Sequence, residues 1–397
     1  MQKITMVIPT YWSPTEGTDL QEDRVFDHPI SLDQEGTLGR ALESLDVLNR
    51  SDFSVVLIVA STLDSIENEV ISRVEEICKP FNGKIDISLV HQGNLKNLEK
   101  KLLNNNVPLD ACALINLDNY SSVRNMCSLA GILNSSELVI FIDDDEVFTD
   151  SKFIDKAVEF VGTEVKGEKI LAVAGYYINS DGNYSLDETN VPLWRKEHWN
   201  NVLAMNQAFD QTIGKSPRLK PTPFVFGGNM VIHRELLANI AFDPAITRGE
   251  DIDFLINTRI SGVKFWLDNT LSIMHLPPSK KNPQWLSFRE DIKRFLYENK
   301  KVSDHSHLDE VSRDELMPYP GLFLGEDLEK KILAANKLLY RDYKEAGDRP
   351  GMEQCNINEE IVKSDKYKAI DTRKWLLELK SNWKVLTNAV AGIGIPE

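Results

Sequence analysis

The chain has 397 residues, 42% hydrophobic and 27% charged, a globular composition that excludes a fibre or a disordered tail. Acidic residues outnumber basic ones by 61 to 45, a net charge of −16, which argues against a general nucleic-acid surface and requires any anionic ligand to be held locally. No apolar run approaches the roughly 18–20 residues of a membrane span. The first such run stops at Pro9 without a cleavage signal, and the four cysteines lack CxxC spacing, so a soluble, cytoplasmic protein with buried thiols is expected.

Short β-rich runs at Ile4–Ile8, Phe53–Ala60, Ile85–Val90, Ala111–Leu117 and Leu138–Ile142 predict strands, with segments able to form helices between them. Such alternation marks βα units and a mostly parallel sheet, and the unbroken apolar runs suit strands covered on both faces. Trp12 to Gly36 separates the first strand from a helix over Leu38–Leu48 by more than a usual connection. Carrying Glu16, Asp19, Glu22, Asp23 and Arg24, it reads either as a disordered insertion or, as its Trp12, Phe26 and two prolines favour, as a functional loop at the carboxyl end of the sheet. Val123, Met126, Cys127, Ala130 and Leu133 share one helical face leading into the Leu138 strand. After a strand over Ile170–Ile178, a polar, Trp-bearing stretch to Pro223 is too long for an ordinary loop and is expected to shape a site. Phe226–His233 reads as extended, Glu250–Ser261 as helical and Lys264–His275 as extended. Beyond Pro277-Pro278, helices are predicted over Trp285–Lys301, Leu328–Ala346 and Ile361–Leu386, with a boundary near residue 278.

The strongest chemical feature follows the Leu138–Ile142 run: Asp143, Asp144, Asp145 and Glu146 in succession. A buried strand thus delivers four carboxylates to its carboxyl end, where ligands sit in open α/β sheets. Adjacent anions repel, so the cluster calls for a divalent cation, and oxygen ligands favour Mg2+ or Mn2+ bridging the phosphates of a nucleotide diphosphate. Alternation puts Asp143 and Asp145 on one side. The plain alternative is an acidic strand end. The Asp143-x-Asp145-x-Val147 pattern also resembles the first motif of haloacid-dehalogenase-type phosphatases, which would make Asp143 a nucleophile, but that motif normally closes the first strand of its domain.

The surrounding motifs occur in a telling order. Val7-Ile-Pro-Thr-Tyr11, Ser121-Ser-Val-Arg-Asn125 and Phe141-Ile-Asp-Asp-Asp-Glu146 are followed by Gly227-Gly-Asn-Met-Val-Ile-His-Arg234, Phe242-Asp, Arg248-Gly-Glu-Asp-Ile-Asp-Phe254 and Gly262-Val-Lys-Phe265. Over roughly residues 3 to 276 this combination resembles the family 2-like glycosyltransferases of the GT-A fold. The resemblance implies an α/β fold with a mostly parallel central sheet flanked by helices. Residues 1–278 would form the transferase domain, 1–150 binding the nucleotide sugar and 170–278 the hydroxyl acceptor. Residues 279–397 would be a helical extension covering the acceptor site or forming a homo-oligomer interface.

Carried onto this chain, the resemblance makes Asp143 and Asp145 the D-x-D pair, with Asp145 the direct metal ligand, Asp143 nearer the ribose or a metal-bound water, and Asp144 able to share either role. Pro9, Thr10, Tyr11 and Asp64 match the nucleoside pocket, and Arg124 the donor phosphates, onto which a guanidinium can fork. Gly227 and Gly228 would admit the sugar close to the backbone, with Asn229 bonding to it. His275 corresponds to a third metal ligand. Asp251, beside Glu250, is the base of the inverting members, although carboxylates in a first helical turn also simply complement the helix dipole. In retaining relatives resembling the mannosylglycerate and glucosyl-phosphoglycerate synthases, Asp251 would bind the acceptor instead. A non-catalytic nucleotide-sugar-binding module is the remaining alternative. Val59-Ala-Ser-Thr-Leu-Asp64, less acidic than usual, leaves the nucleotide base open.

Overall fold

The computed structural model describes residues 2–16, 24, 26–278, 283–308 and 310–395; Asp19, Glu22 and Asp23 of the long first connection lie outside them. Eight strands carry the central sheet: β1 (Ile4–Ser13), β2 (Phe53–Ser61), β3 (Asp86–Val90), β4 (Leu138–Phe141), β5 (Ala172–Ile178), β6 (Leu219–Pro221), β7 (Met230–His233) and β8 (Trp266–His275). Their spatial order is β6-β8-β5-β7-β4-β1-β2-β3, and two-residue strands at Ile30–Ser31 and Glu146–Val147 attach to β1 and β8. β1 to β4 run parallel, β8 is parallel to β5, and β7 runs against both β4 and β5. This mostly parallel α/β sheet with a helical C-terminal part is the arrangement the motifs imply.

The pairing of Glu146 with His275 and Val147 with Met274 brings the strand end after β4 against the end of β8, and the Leu276 amide closes it by donating to the Asp145 carbonyl at 2.9 Å. Helix α1 (Tyr120–Leu133) lies on the sheet, buried along nearly its whole length. Its start is fixed by Asn119, whose side chain accepts from the Ser122 amide. Gly131 lets it close on Val139, where a Cβ would collide. Helix α2 (Glu250–Ile260) begins at Gly249, held at φ +74°.

The C-terminal part consists of α3 (Gln284–Ser306), α4 (Leu328–Glu345), α5 (Arg349–Lys363) and α6 (Thr372–Val390). One apolar cluster runs from Val7, Val56 and Phe141 through Phe254 to Phe288, Phe295, Trp383 and Val390, so these helices share a core with the sheet. Two expectations differ from what is found. Ala111–Leu117 is not a strand: Pro108 opens a helical turn, Leu109–Cys112, because the buried Ala111, Cys112 and Ile115 sit at helical spacing that a short apolar run does not distinguish from a strand. The helix expected over Ile361–Leu386 is two helices, each started by an aspartate cap, Asp348 and Asp371.

Glu298 on α3 is fully buried, and neither of its carboxylate oxygens has a hydrogen-bond partner among the described residues. Burial pushes its carboxyl up to about 8, outweighing the pull of Arg294. An unfolded glutamate titrates near ~4.3, so the folded chain holds an extra proton between these values. The associated stability is complete below the unfolded value and is lost as pH rises through about 8. Glu298→Gln is therefore expected to flatten the fall in Tm between about pH 5 and 8 by scanning calorimetry; an unchanged slope would refute the assignment.

Candidate active site

Where β1 and β4 end, their residues meet the first turns of α1 and α2. Arg124 enters from α1, 4% exposed, with one Nη 2.8 Å from Asp143 Oδ1 and Nε 3.1 Å from Glu250 Oε1. Thr10 Oγ1 donates to Asp144 Oδ2 at 2.6 Å, and His275 Nε2 lies 3.3 Å from Asp145 Oδ2. Glu146 turns inward beneath them: its Oε2 accepts from the Asp143 amide at 3.1 Å, and its Oε1 has no partner among the described residues.

Burial dominates the charge states here. It pushes Asp144 up to about 8, assisted by Asp145 and opposed by Thr10, and raises Glu146 well above the ordinary carboxylate range, with Asp143 and Asp145 adding to the shift. For Asp145 burial acts in the same direction, but His275 more than offsets it and the carboxyl is held low. Ligand oxygens of Asp143, Asp145 and Glu146 all lie within 4.8 Å of one another. An unpartnered buried carboxylate oxygen within an oxygen-rich cluster is the environment a divalent cation fits. Glu146 therefore joins Asp143 and Asp145 as a candidate ligand, and His275 stands beside them.

On the opposite wall, burial raises Glu250 to about 7, with Arg124 pulling it down and Asp251 pushing it up. Asp251 is also raised by burial, opposed by the Ile252 amide, which donates to Oδ1 at 2.8 Å, and by the Gly227 amide, which donates to Oδ2 at 3.1 Å. Tyr11, Arg124, Asp143, Asp144, Asp145, Gly227, Glu250, Asp251 and His275 all line one cavity of about 430 Å³.

The other expected residues take different places. Pro9 lies within β1 opposite Ile58, and Thr10 reaches the site through Asp144. Asp64 is outside the cavity lining, paired with Arg24 at 2.8 Å and Lys96 at 3.7 Å. Asn229 is wholly buried, its amide donating to the Tyr176 and Leu271 carbonyls at 3.2 Å. Gly228 lies under the cluster, its amide donating to Tyr177 Oη at 2.9 Å. A Cβ on Gly228 would fall on Glu146 Oε1 and within 2.7 Å of Asp143 Oδ2. Gly228→Ala is expected to weaken Mn2+ binding, followed by electron paramagnetic resonance, by about tenfold or more, because the two carboxylates must separate; wild-type affinity would contradict this placement.

Sequence reasoning missed Tyr177, whose ring stacks on His275 at 4.5 Å between centroids, and Arg195, Asp291, Arg294 and Tyr319, which line the same cavity. The length of the polar stretch before Pro223 was the available signal for Arg195. Trp194 and Trp199 are core residues, their indoles donating to Gln284 and Asp291.

No family model matches the chain, and no curated protein does. Among solved structures it is similar to a mannosyltransferase of Pyrobaculum calidifontis in complex with GDP-Man and Mn2+, with 13% identity over 99% of this chain and 88% of that one and a TM-score of 0.44. It is also similar to glucosyl-3-phosphoglycerate synthase of Mycobacterium tuberculosis in complex with Mn2+ and uridine-diphosphate-glucose, with 15% identity, 76% and 78% coverage and a TM-score of 0.38. With TM-scores below 0.5, these likenesses carry no functional argument.

Proposed function

We propose that the protein is a glycosyltransferase, moving a hexosyl group from a nucleotide-diphosphate sugar to a hydroxyl acceptor. The observation that carries this reading is the convergence of Asp143, Asp144 and Asp145, Arg124 and the Glu250-Asp251 pair on one cavity at the carboxyl ends of β1 and β4. Asp145, Asp143 and Glu146, with His275 alongside, would hold Mn2+ or Mg2+, which supplies charge neutralisation for the departing diphosphate. Arg124, held by Glu250, aims its free Nη1 as a second donor toward phosphate oxygens. Asp251 takes the acceptor hydroxyl proton as the acceptor oxygen bonds to the anomeric carbon and the carbon–oxygen bond to the diphosphate breaks, inverting the configuration. Burial raises its carboxyl, which makes it a stronger base than an exposed aspartate. The four free, buried cysteines support a cytoplasmic setting, and the exposed Trp375 and Leu377 on α6 support a homo-oligomer through the C-terminal helices. No helix among the described residues is long and apolar enough to cross a membrane. We retain 1–278 as the transferase unit and 279–397 as its extension.

The test is a thermal-shift screen of UDP-, GDP-, ADP- and dTDP-sugars with and without Mn2+ or Mg2+, followed by NMR of the product anomer. A metal-dependent rise in Tm with one nucleotide is expected. No rise with any of them would sink the reading, and a retained anomer would remove the base role from Asp251.

A further inference from the structure

Besides Arg124 and the carboxylates, the cavity is lined by Arg195, Arg248 and Arg294 together with Asp27 and Asp291. Arg248 is engaged: its Nε lies 2.8 Å from Asp27 Oδ2, and one Nη lies 3.6 Å from Asp291 Oδ1. Arg294 shares that Asp291 oxygen at 3.4 Å and donates to Tyr319 Oη at 3.1 Å, while the second Asp291 oxygen is occupied by the Trp199 indole at 3.2 Å. Asp27 and Asp291 are thus paired with Arg248 and Arg294.

Arg195 is the one left over. Its guanidinium rests over the Trp194 ring at 5.0 Å and has no hydrogen bond or ion pair with a side chain or carbonyl among the described residues. Arg294 adds a second unpartnered donor, its Nε, which is buried, the residue being only 8% exposed. Its guanidinium occupies the space that a Cβ on Gly249 would take, so the missing side chain of Gly249 lets Arg294 pack directly beside the Glu250-Asp251 turn. Leaving a guanidinium half-desolvated and unpaired is costly, and burial does push Arg195 below its ordinary value. A fork of N–H donors in such a place matches a phosphate or a carboxylate.

We infer that the acceptor carries an anionic group, a phosphate or a carboxylate, which docks on the unpaired guanidinium of Arg195 beside Arg294. This rests on the transferase reading, which places the donor diphosphate at Arg124 and the acid cluster. Arg195 comes from the 179–223 stretch and Arg294 from α3, so the docking group is supplied by elements outside the motifs that resemble the donor half.

Calorimetric titration of the full chain tests it, with inorganic phosphate and glycolate as probes in metal-free buffer, and separately with GDP and UDP plus Mn2+. Wild type, Arg195→Gln and Arg195→Lys are compared. Arg195→Gln is expected to weaken anion binding by about tenfold or more, with Arg195→Lys in between, while Mn2+-dependent nucleotide affinity stays within about twofold. Equal anion affinity in wild type and Arg195→Gln, or no anion binding at all, overturns the inference. Loss of nucleotide affinity in Arg195→Gln overturns it in favour of a donor role. Absence of nucleotide binding in every protein, with anion binding still dependent on Arg195, defeats the transferase reading alone.

Discussion

Asp145→Ala is expected to abolish metal-dependent nucleotide binding and to lower kcat/KM by about 10²–10³-fold, the scale seen when one preorganised electrostatic contact to a developing charge is lost. Four carboxylates sit in succession here, yet their environments are unequal. Asp144 is tied to Thr10, Glu146 to the backbone of Asp143, and Asp143 to Arg124. The Asp145 side chain contacts His275 at 3.3 Å, a neutralisable partner that could share a cation with it, and its backbone is clamped by Leu276, which sets its orientation toward the cavity. A cation at this position would therefore draw most from Asp145. In wild type a nucleotide at 100 Kd adds about 2.7 kcal/mol of stability in the presence of Mn2+, and chelation removes it. The variant should show the metal-free Tm under both conditions. A metal-dependent rise that survives the substitution would move the ligand role to Glu146 and Asp143.

Lys301→Met should be the most destabilising single change on the C-terminal side, costing about 3–5 kcal/mol in urea unfolding. The Lys301 ammonium is fully buried on α3, 2.5 Å from Asp253 Oδ1, 2.9 Å from Asp243 Oδ2 and 3.0 Å from Asn257 Oδ1. Asp243 also accepts from the Tyr297 hydroxyl at 2.7 Å and the Trp375 indole at 2.9 Å. Burial alone would raise the Asp243 carboxyl, but Lys301, Trp375 and Tyr297 outweigh it and hold it low, so the group is an anion that needs its cation. Removing the ammonium leaves two facing carboxylates in the core. A second substitution, Asp253→Asn, should recover part of the loss because it removes one of those orphaned charges. A cost under about 1 kcal/mol would show that the cluster is solvated or rearranges.

Much of the sheet was legible because parallel strands buried on both faces read as unbroken Val- and Ile-rich runs, and β1, β2 and β4 are of this kind. Ala111–Leu117 misled because a single buried helical turn has the same short apolar signature. The acid cluster, Arg124 and the Glu250-Asp251 turn were legible as contiguous motifs whose residue types already carry the chemistry. Arg195, Asp291, Arg294 and Tyr319 were not. They reach the cavity from a short helix, from α3 and from the segment after it, and only the tertiary packing of α3 against the sheet's core brings them together. Asp64 and Asn229 show the converse: their motifs placed them at the site, whereas local pairing with Arg24 and with backbone carbonyls gives them other partners.

The apolar cluster that runs unbroken from Val7 to Val390 bears on how the chain can be cut or recombined. A protein shortened at residue 278 would lose Phe288, Phe295 and Trp383 from its interior and, with Arg294 and Tyr319, one side of the cavity. The tail is therefore not an interchangeable cassette: a chimaera joined at that point inherits a mismatched interior before any question of turnover arises. Changes in what the cavity admits are better sought in point replacements along the inner side of α3, which leave the hydrophobic seam intact.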